Sequence, residues 1–454
     1  MLSLGLTLPL ALPSASVVRA QGSIEGTKID FPYPTFPYTT IARMQSTADL
    51  TSCPIGTPAD VVEPDSPYGS TALQVTFNGG TSTINPKLVL ASPVNVTGGS
   101  IRFTFKPKFN IFGGFSPTSF EIRLYSAGTP AAPSADYHIG GGATWFKNLL
   151  TSPSSTEAGR FQSVAISSSA FTAVGAGADL TQIKGARIFA RGSSGAIMDF
   201  GNIDFVPNPR SKALMVFRAD DGGDLTYRVL FPKLQAVNRP GVLAIGDALH
   251  TINGGFHVTT AQVQAMLNAG WQFMSQSLTT EDKTKFDNFT EAQKDAEFQG
   301  VRALAATFGH RRDSNDMTYF SSVGPNHMIA WPSFSRNGRT IMAFKNWNAG
   351  QNPPASYDEV FPFGDPKQII AFNLNSERGG ANTLSQLQIL MDRVRAAKGV
   401  LIIAFHPNGD LTNSNIVAAV DGAITEAMVT NPGSWEINTL RGALAPYCSD
   451  PLTG

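Results

Sequence analysis

Two adjacent carboxylates, Asp220 and Asp221, end the apolar run ALMVFRAD and are followed by glycine. Neighbouring carboxylates in such a position are costly unless they bind a cation, share a proton or face water. A histidine, His406, follows a second apolar run, VLIIAF. Because carboxylates and imidazole can exchange protons with a substrate or hold a metal ion, these three residues are the first candidates for a functional site.

The chain after Arg210 alternates between apolar strands and helices, a pattern that predicts a parallel sheet or an α/β barrel. The predicted strands are ALMVFRAD, GVLAIG, WQFMSQS, MIAWPS, TIMAFKNW, QIIAFNLN and VLIIAFH. Thr259 and Gln262 form a capping box that begins one helix, and Thr383 begins another. About seven strand-and-helix units predict a deformed (β/α)7-type barrel, in which functional side chains lie at the carboxyl ends of the strands.

The chain before this region has a different pattern. From Ile29 to Val206, short alternating runs such as ALQVTFN, SIRFTFK, FEIRLYS and ARIFARG are separated by Gly, Pro, Ser and Asn. Alternation with period two and frequent turn residues predict a β-sandwich. The last run, MDFGNIDFVP, resembles the final strand of a jelly-roll carbohydrate-binding module. Prolines on both sides of Asn208 predict a linker at 207–211, between a sandwich at 29–206 and a barrel at 212–454.

Two segments of the C-terminal half resemble motifs of the NodB-like polysaccharide deacetylase superfamily. KALMVFRADDGG is similar to the first motif, an apolar strand that ends in Asp-Asp-Gly, and RVRAAKGVLIIAFHP is similar to the last, a helix and a strand that ends in histidine. The resemblance covers roughly Lys212 to Leu444 in consistent order. It implies that Asp220 is the general base, Asp221 a metal ligand and His406 the general acid.

The resemblance is broken at the metal site. Where the family has two histidines four residues apart, this chain has Gln276 and Thr280, whose side chains bind zinc-like ions far more weakly than imidazole. Asp221 alone would hold a divalent ion weakly, and without that ion no water is acidified at neutral pH. We therefore expect no cofactor unless the site is rebuilt. Residues of neighbouring loops that could rebuild it are His250, His310 and Asp282.

Two further residues are candidates for glycan binding. Arg311 could pair with the carboxylate of an acidic glycan or lie in a solvated turn. Trp347, in FKNWNAG, could stack on a sugar, although large aromatic side chains more often pack in the core or at its rim.

A metal-free alternative would use the carboxylates Asp220 and Asp221 with His406 for glycosidic cleavage. Against it, adjacent residues of one strand point to opposite faces.

The composition favours an uncharged partner. Lys plus Arg and Asp plus Glu number 34 each, so no net field attracts nucleic acid or anionic lipid. Only 15% of residues are charged, and 30 phenylalanines supply apolar bulk, a profile common in β-rich extracellular or virion proteins. A polysaccharide or cell-surface glycan is therefore the expected partner, and nucleic acid is not.

Residues 1–28 form an apolar segment with two interpretations. Val18 and Ala20 fit a signal-peptidase site before Gln21, which predicts secretion, whereas the lack of a preceding basic residue fits an uncleaved virion assembly arm. No later segment reaches the roughly 20 apolar residues that span a bilayer.

Cys53 and Cys448 are too far apart in sequence to form a zinc motif, and they are either free thiols or one long-range disulfide.

Three functions fit these observations. The first is carbohydrate recognition by a degenerate deacetylase-like barrel with an accessory sandwich, at a cell surface or in a virion. The second is an active polysaccharide deacetylase or hydrolase with an atypical site built from Asp220, Asp221 and His406. The third is a structural role in a bacteriophage tail or receptor-binding protein, with assembly into a homo-oligomer or virion. Bound metal would separate the enzyme from the binding protein, because one fold hosts many functions.

Overall fold

The computed structural model describes residues 38–63, 66, 68–107, 119–139, 161–191, 194–208, 210–245, 255–275, 288–290, 292–297, 300, 308, 319–321, 340–346, 368–374 and 383–444. These residues form two antiparallel sheets before Asn208 and one parallel sheet after it. The change from antiparallel to parallel pairing coincides with the change in sequence pattern. The last antiparallel strand ends on Pro207, one residue into the predicted linker, and Asn208 Nδ2 then donates to Ala397 O at 2.8 Å.

The antiparallel strands follow the predicted alternating runs. In chain order they are β1 Thr39–Ala42, β2 Leu50–Ser52, β3 Gly56–Val62, β4 Thr71–Phe77, β5 Thr81–Pro86, β6 Gly99–Pro107, β7 Ser119–Gly128, β8 Pro133–Ile139, β9 Gln162–Ser167, β10 Thr172–Val174, β11 Gly185–Arg191 and β12 Ile197–Pro207. One sheet has the order β3-β4-β12-β6-β9 with β1 also paired to β12, and the other has the order β10-β8-β7-β11-β5-β2.

The two antiparallel sheets share one hydrophobic core. Phe103 of β6 and Phe120 of β7 belong to different sheets, and their ring centroids are 6.3 Å apart. On the other face of β6, Arg102 Nη2 contacts Asp204 Oδ2 of β12 at 2.7 Å, and both side chains are buried. Period-two alternation thus sends apolar residues of β6 into the core and charged ones to the opposite face.

The third sheet is parallel. Its strands are β13 Ala213–Ala219, β14 Val242–Ile245, β15 Gln272–Ser275, β16 Tyr319–Ser321, β17 Thr340–Asn346, β18 Gln368–Asn373, β19 Val400–Phe405 and β20 Trp435–Ile437. They pair in the order β14-β15-β16-β17-β18-β19-β13-β20. In addition β13 pairs with β14. The series of hydrogen-bonded strands that starts at β14 and continues through β19 to β13 therefore returns to β14. The predicted strand MIAWPS lies outside the described residues, and β16 and β20 were not predicted.

Helices flank the parallel strands. The bounds are α1 Phe231–Ala236, α2 Thr260–Asn268, α3 Leu384–Ala397, α4 Pro407–Asp410, α5 Ser414–Thr425 and α6 Leu440–Leu444. The predicted capping box is confirmed, because the Thr259 side chain accepts from Gln262 N and Thr259 N donates to Gln262 Oε1. Thr383 caps α3, which ends at Lys398 with a left-handed φ of 52°. None of the described helices is long and apolar enough to cross a membrane.

The residues of β13 alternate between two buried clusters. Met215 and Phe217 pack with apolar residues of α1, α2, α3 and α5. Leu214 and Val216 face the other way and pack with residues of β14, β15 and β19. Continuing this alternation, Arg218 belongs to the second face, which apolar residues of several parallel strands share. The polar residues at the end of β13, Arg218 and Asp220, are therefore buried at the end of an apolar interior.

Candidate acid–base site at the strand ends

Asp220 follows β13 directly and is completely buried. Its backbone N donates to Phe405 O at 3.0 Å, which ties the residue to the end of β19. Arg218, two residues earlier, is also completely buried, and its Nη2 forms an ion pair with Asp220 Oδ1. Charged side chains are almost never fully buried unless they are paired, so this contact orients the Asp220 carboxylate.

Burial raises the pKa of Asp220 to about 6, because removing a carboxylate from water disfavours its charged form. Attraction to Arg218 and to His406 opposes this shift, and repulsion from Asp221 adds to it. A carboxyl group with a pKa near neutrality can accept a proton from a reacting group at physiological pH. The environment of Asp220 is thus compatible with the general-base role that the resemblance implies.

Asp221 has a left-handed backbone conformation, with a φ of 62°, and Gly222 follows with a φ of 60°. Because β13 ends at Ala219, the alternation of a strand does not extend to Asp221. Asp221 Oδ2 instead lies 4.0 Å from His406 Nε2. Strand alternation therefore does not determine where the Asp221 carboxylate lies relative to that of Asp220, since Asp221 belongs to the turn after β13.

His406 directly precedes α4, and Asp410 at the end of that short helix holds it. His406 N donates to Asp410 Oδ2 at 2.7 Å, and His406 Nδ1 lies 3.8 Å from the same oxygen. Asp410 N in turn donates to His406 O at 2.8 Å. The imidazole therefore has the Asp221 carboxylate on its Nε2 side and the Asp410 carboxylate on its Nδ1 side. Sequence analysis missed Asp410, although the spacing in HPNGD places a carboxylate one helical turn after the histidine.

Asn408 links the loops beside these residues. Its Nδ2 donates to Phe256 O at 2.7 Å, and its Oδ1 accepts from Leu225 N at 3.5 Å. Gly223 allows this approach, because a Cβ there would lie 2.7 Å from Asn408 Oδ1. An isolated antiparallel bridge joins Gly223 to His257. The turn after Asp221 and the segment that contains Phe256 are thus fastened to each other and to α4.

Other predicted site residues lie outside the described part of the chain. These are Gln276, Thr280, Asp282, His250, His310, Arg311 and Trp347. Cys448 also lies outside it, whereas Cys53 is a free thiol whose pKa burial raises to about 11. The structure therefore brings together Asp220, Asp221 and His406, and leaves the other predictions as they stand.

The described residues do not supply the ligands that a divalent ion such as zinc needs. Among them, no three His, Cys, Asp or Glu side chains lie together so as to hold a metal ion. Asp221 and His406 offer one carboxylate and one imidazole, whereas zinc sites have three or four protein ligands. A zinc-like ion does not fit these residues on their own.

No family model and no curated protein matches the chain. Several solved structures resemble it distantly. A family 4 acetyl xylan esterase from Clostridium thermocellum in complex with a cobalt ion is 17% identical, with a TM-score of 0.31 over 51% of this chain and 90% of its own. The chitin deacetylase of Colletotrichum lindemuthianum is 10% identical, with a TM-score of 0.34 over 51% and 87%. A mutant of a CE4 family pseudoenzyme with restored enzymatic activity is 11% identical, with a TM-score of 0.32 over 68% and 86%. Such TM-scores are too low to establish the fold or the function of this chain.

Proposed function

We propose that this chain recognises a neutral polysaccharide through Asp221 and His406, with Asp220 buried beside them at the end of β13. The observation that carries the proposal is the approach of His406 Nε2 to Asp221 Oδ2 beside the end of β13, where 32% and 23% of the two side chains are exposed. Ligands of parallel α/β folds bind at the carboxyl ends of strands. Oriented carboxylate and imidazole groups there match the hydroxyl groups of a sugar, which both donate and accept hydrogen bonds.

The architecture that we assign to this function has two parts. The pairing path that returns to β13 supports a deformed (β/α)7-type barrel of the polysaccharide deacetylase type at 212–454. The two antiparallel sheets with a shared core support an accessory β-sandwich at 29–206. Equal numbers of basic and acidic residues favour an uncharged glycan over nucleic acid. We place such a protein outside the cell or on a virion.

A second candidate function is hydrolysis of an acetyl group on the bound glycan. The raised pKa of Asp220 favours it, because a base poised near neutrality is what such a reaction requires. In this reaction Asp220 would take a proton from an attacking water molecule, and protonated His406 would give one to the leaving nitrogen or oxygen. Asp221 and Asp410 lie on the Nε2 and Nδ1 sides of the imidazole and would orient it for that transfer.

Calorimetric titration of the full chain with N-acetylglucosamine hexamer, xylohexaose and cellohexaose tests the proposal. We expect one of these glycans to bind, and Asp221→Asn and His406→Ala to weaken that binding about tenfold each, as the loss of a charge-assisted hydrogen bond would. Absence of binding to all three would overturn the proposal. Release of acetate from acetylated xylan or chitin oligomers that His406→Ala abolishes would establish the second function.

A further inference from the structure

Phe256 exposes 76% of its surface, although phenylalanine is among the residues most often buried in proteins. Aromatic side chains of the core behave differently: Trp271 is 2% exposed and packs edge-on against Phe231 with ring centroids 5.8 Å apart. Trp271 and Phe231 thus belong to the hydrophobic core, whereas the side chain of Phe256 lies outside it.

The backbone of Phe256 is held by both segments that carry the candidate site. Its carbonyl oxygen accepts from Asp224 N at 2.9 Å and from Asn408 Nδ2 at 2.7 Å. Asp224 is three residues after Asp221, and Asn408 is two residues after His406. The segment after Asp221 and the segment after His406 thus each donate a hydrogen bond to the carbonyl oxygen of Phe256.

Further bonds hold the neighbours of Phe256 in place. Val258 N donates to Gly222 O at 2.9 Å, and His257 pairs with Gly223 in an antiparallel bridge. Backbone groups of Phe256 and of the two residues after it are thus paired with the turn that follows Asp221, which restricts where the Phe256 side chain can lie. The ring of Phe256 thus extends from a hydrogen-bonded segment, and the apolar area that it leaves in water is available to a ligand.

We propose that Phe256 is the stacking residue of a sugar-binding subsite next to Asp221 and His406, and that its ligand is a pyranose ring of the neutral polysaccharide. This inference rests on the proposed function. A pyranose has a face of C–H groups that packs on an aromatic ring and an edge of hydroxyl groups. The ring of Phe256 offers the first contact, and the polar side chains of Asp221 and His406 offer the second.

The polar setting favours a sugar over an apolar peptide or acyl chain. Leu225, the apolar residue whose N–H points to Asn408, packs against the core, so it adds little apolar surface to that of Phe256. An extended apolar partner would need a broad patch, whereas one sugar ring is covered by one aromatic side chain.

The test compares the native chain with Phe256→Ala and Phe256→Trp by calorimetry, with the same three hexasaccharides as probes. Val429→Ala is the matched control, because Val429 is 71% exposed and lies in the helical turn Glu426–Thr430 after α5. We expect Phe256→Ala to raise the Kd about tenfold, as the loss of a buried aromatic contact would, and both Phe256→Trp and the control to bind as the native chain does.

Two readouts keep the inference separate from the proposed function. Equal binding by Phe256→Ala and the native chain would overturn the subsite and leave the proposed function intact. No binding by the native chain would overturn the proposed function and the subsite with it. In the Phe256→Trp variant, saturating hexasaccharide should shift the tryptophan emission relative to that of the native chain, and an unchanged difference spectrum would also count against the subsite.

Discussion

Arg218 Nη2 and Asp220 Oδ1 form an ion pair in which neither side chain is accessible to solvent, and the two residues are separated by a single residue at the end of β13. A buried ion pair contributes little to stability by itself, because desolvation of two charges offsets their attraction. Removal of one partner lowers the stability strongly, since the remaining charge is then buried without a compensating charge.

Replacing Arg218 should therefore destabilise the parallel sheet strongly. We expect Arg218→Met to lower the free energy of unfolding by about 3–5 kcal/mol at pH 7, measured by urea denaturation. The control is Arg218→Met combined with Asp220→Leu, which removes both charges and should recover most of the loss. A double variant as unstable as the single one would show that the arginine acts through packing and not through its charge.

The raised pKa of Asp220 predicts a specific pH dependence of stability. Between pH 3.8 and about 6 the native state binds more protons at this carboxyl than the unfolded state, so the free energy of unfolding falls as pH rises through that window. Relative to Asp220→Asn, the native chain should lose about 2 kcal/mol between pH 3.8 and pH 6, and only a few tenths of a kcal/mol more above pH 6. Denaturation curves of both proteins at several pH values measure this difference, and a constant difference would contradict the pKa.

Asp410 should be required to hold His406 in position. We expect Asp410→Ala to lower the free energy of unfolding by about 1–3 kcal/mol, because His406 N loses the carboxylate that accepts its hydrogen bond. Asp421→Ala is the control, since Asp421 pairs with Lys233 on the surface, where 50% of its side chain is exposed. The surface pair should contribute about 0–1 kcal/mol. Equal losses in the two variants would mean that the position of Asp410 has no special role.

Gly223 should be required for the contact of Asn408 with Phe256. In Gly223→Ala the new Cβ would displace the Asn408 amide, and we expect a loss of about 1 kcal/mol of stability together with weaker glycan binding. Gly255→Ala is the control, because a Cβ at that position meets nothing within 4 Å. In an Asn408→Ala background the Gly223→Ala substitution should have almost no further effect, and additive losses would show that it acts elsewhere.

Sequence alone located the ends of β13 and β19, and with them Asp220 and His406, because long apolar runs that end in charged residues are strong signals. It missed β16 and β20, since three residues are too few to show a period. It also missed Arg218, because only the pairing of β13 with its neighbours reveals that this residue faces an apolar interior. The orientation of Asp221 depends on a left-handed φ that the letters Asp-Asp-Gly permit but do not require.

The pairing of β13 with β19 affects how the chain can fold while it is being synthesised. Leu214 pairs with Val400, so the strand that leads to Asp220 lacks this neighbour until Val400 itself has been synthesised. Such distant pairing delays folding and leaves a strand edge open to other chains in the meantime. Asp220 and His406 therefore meet only after the long segment between them has been synthesised, and a nascent chain that stops before Val400 would expose an apolar edge prone to aggregation.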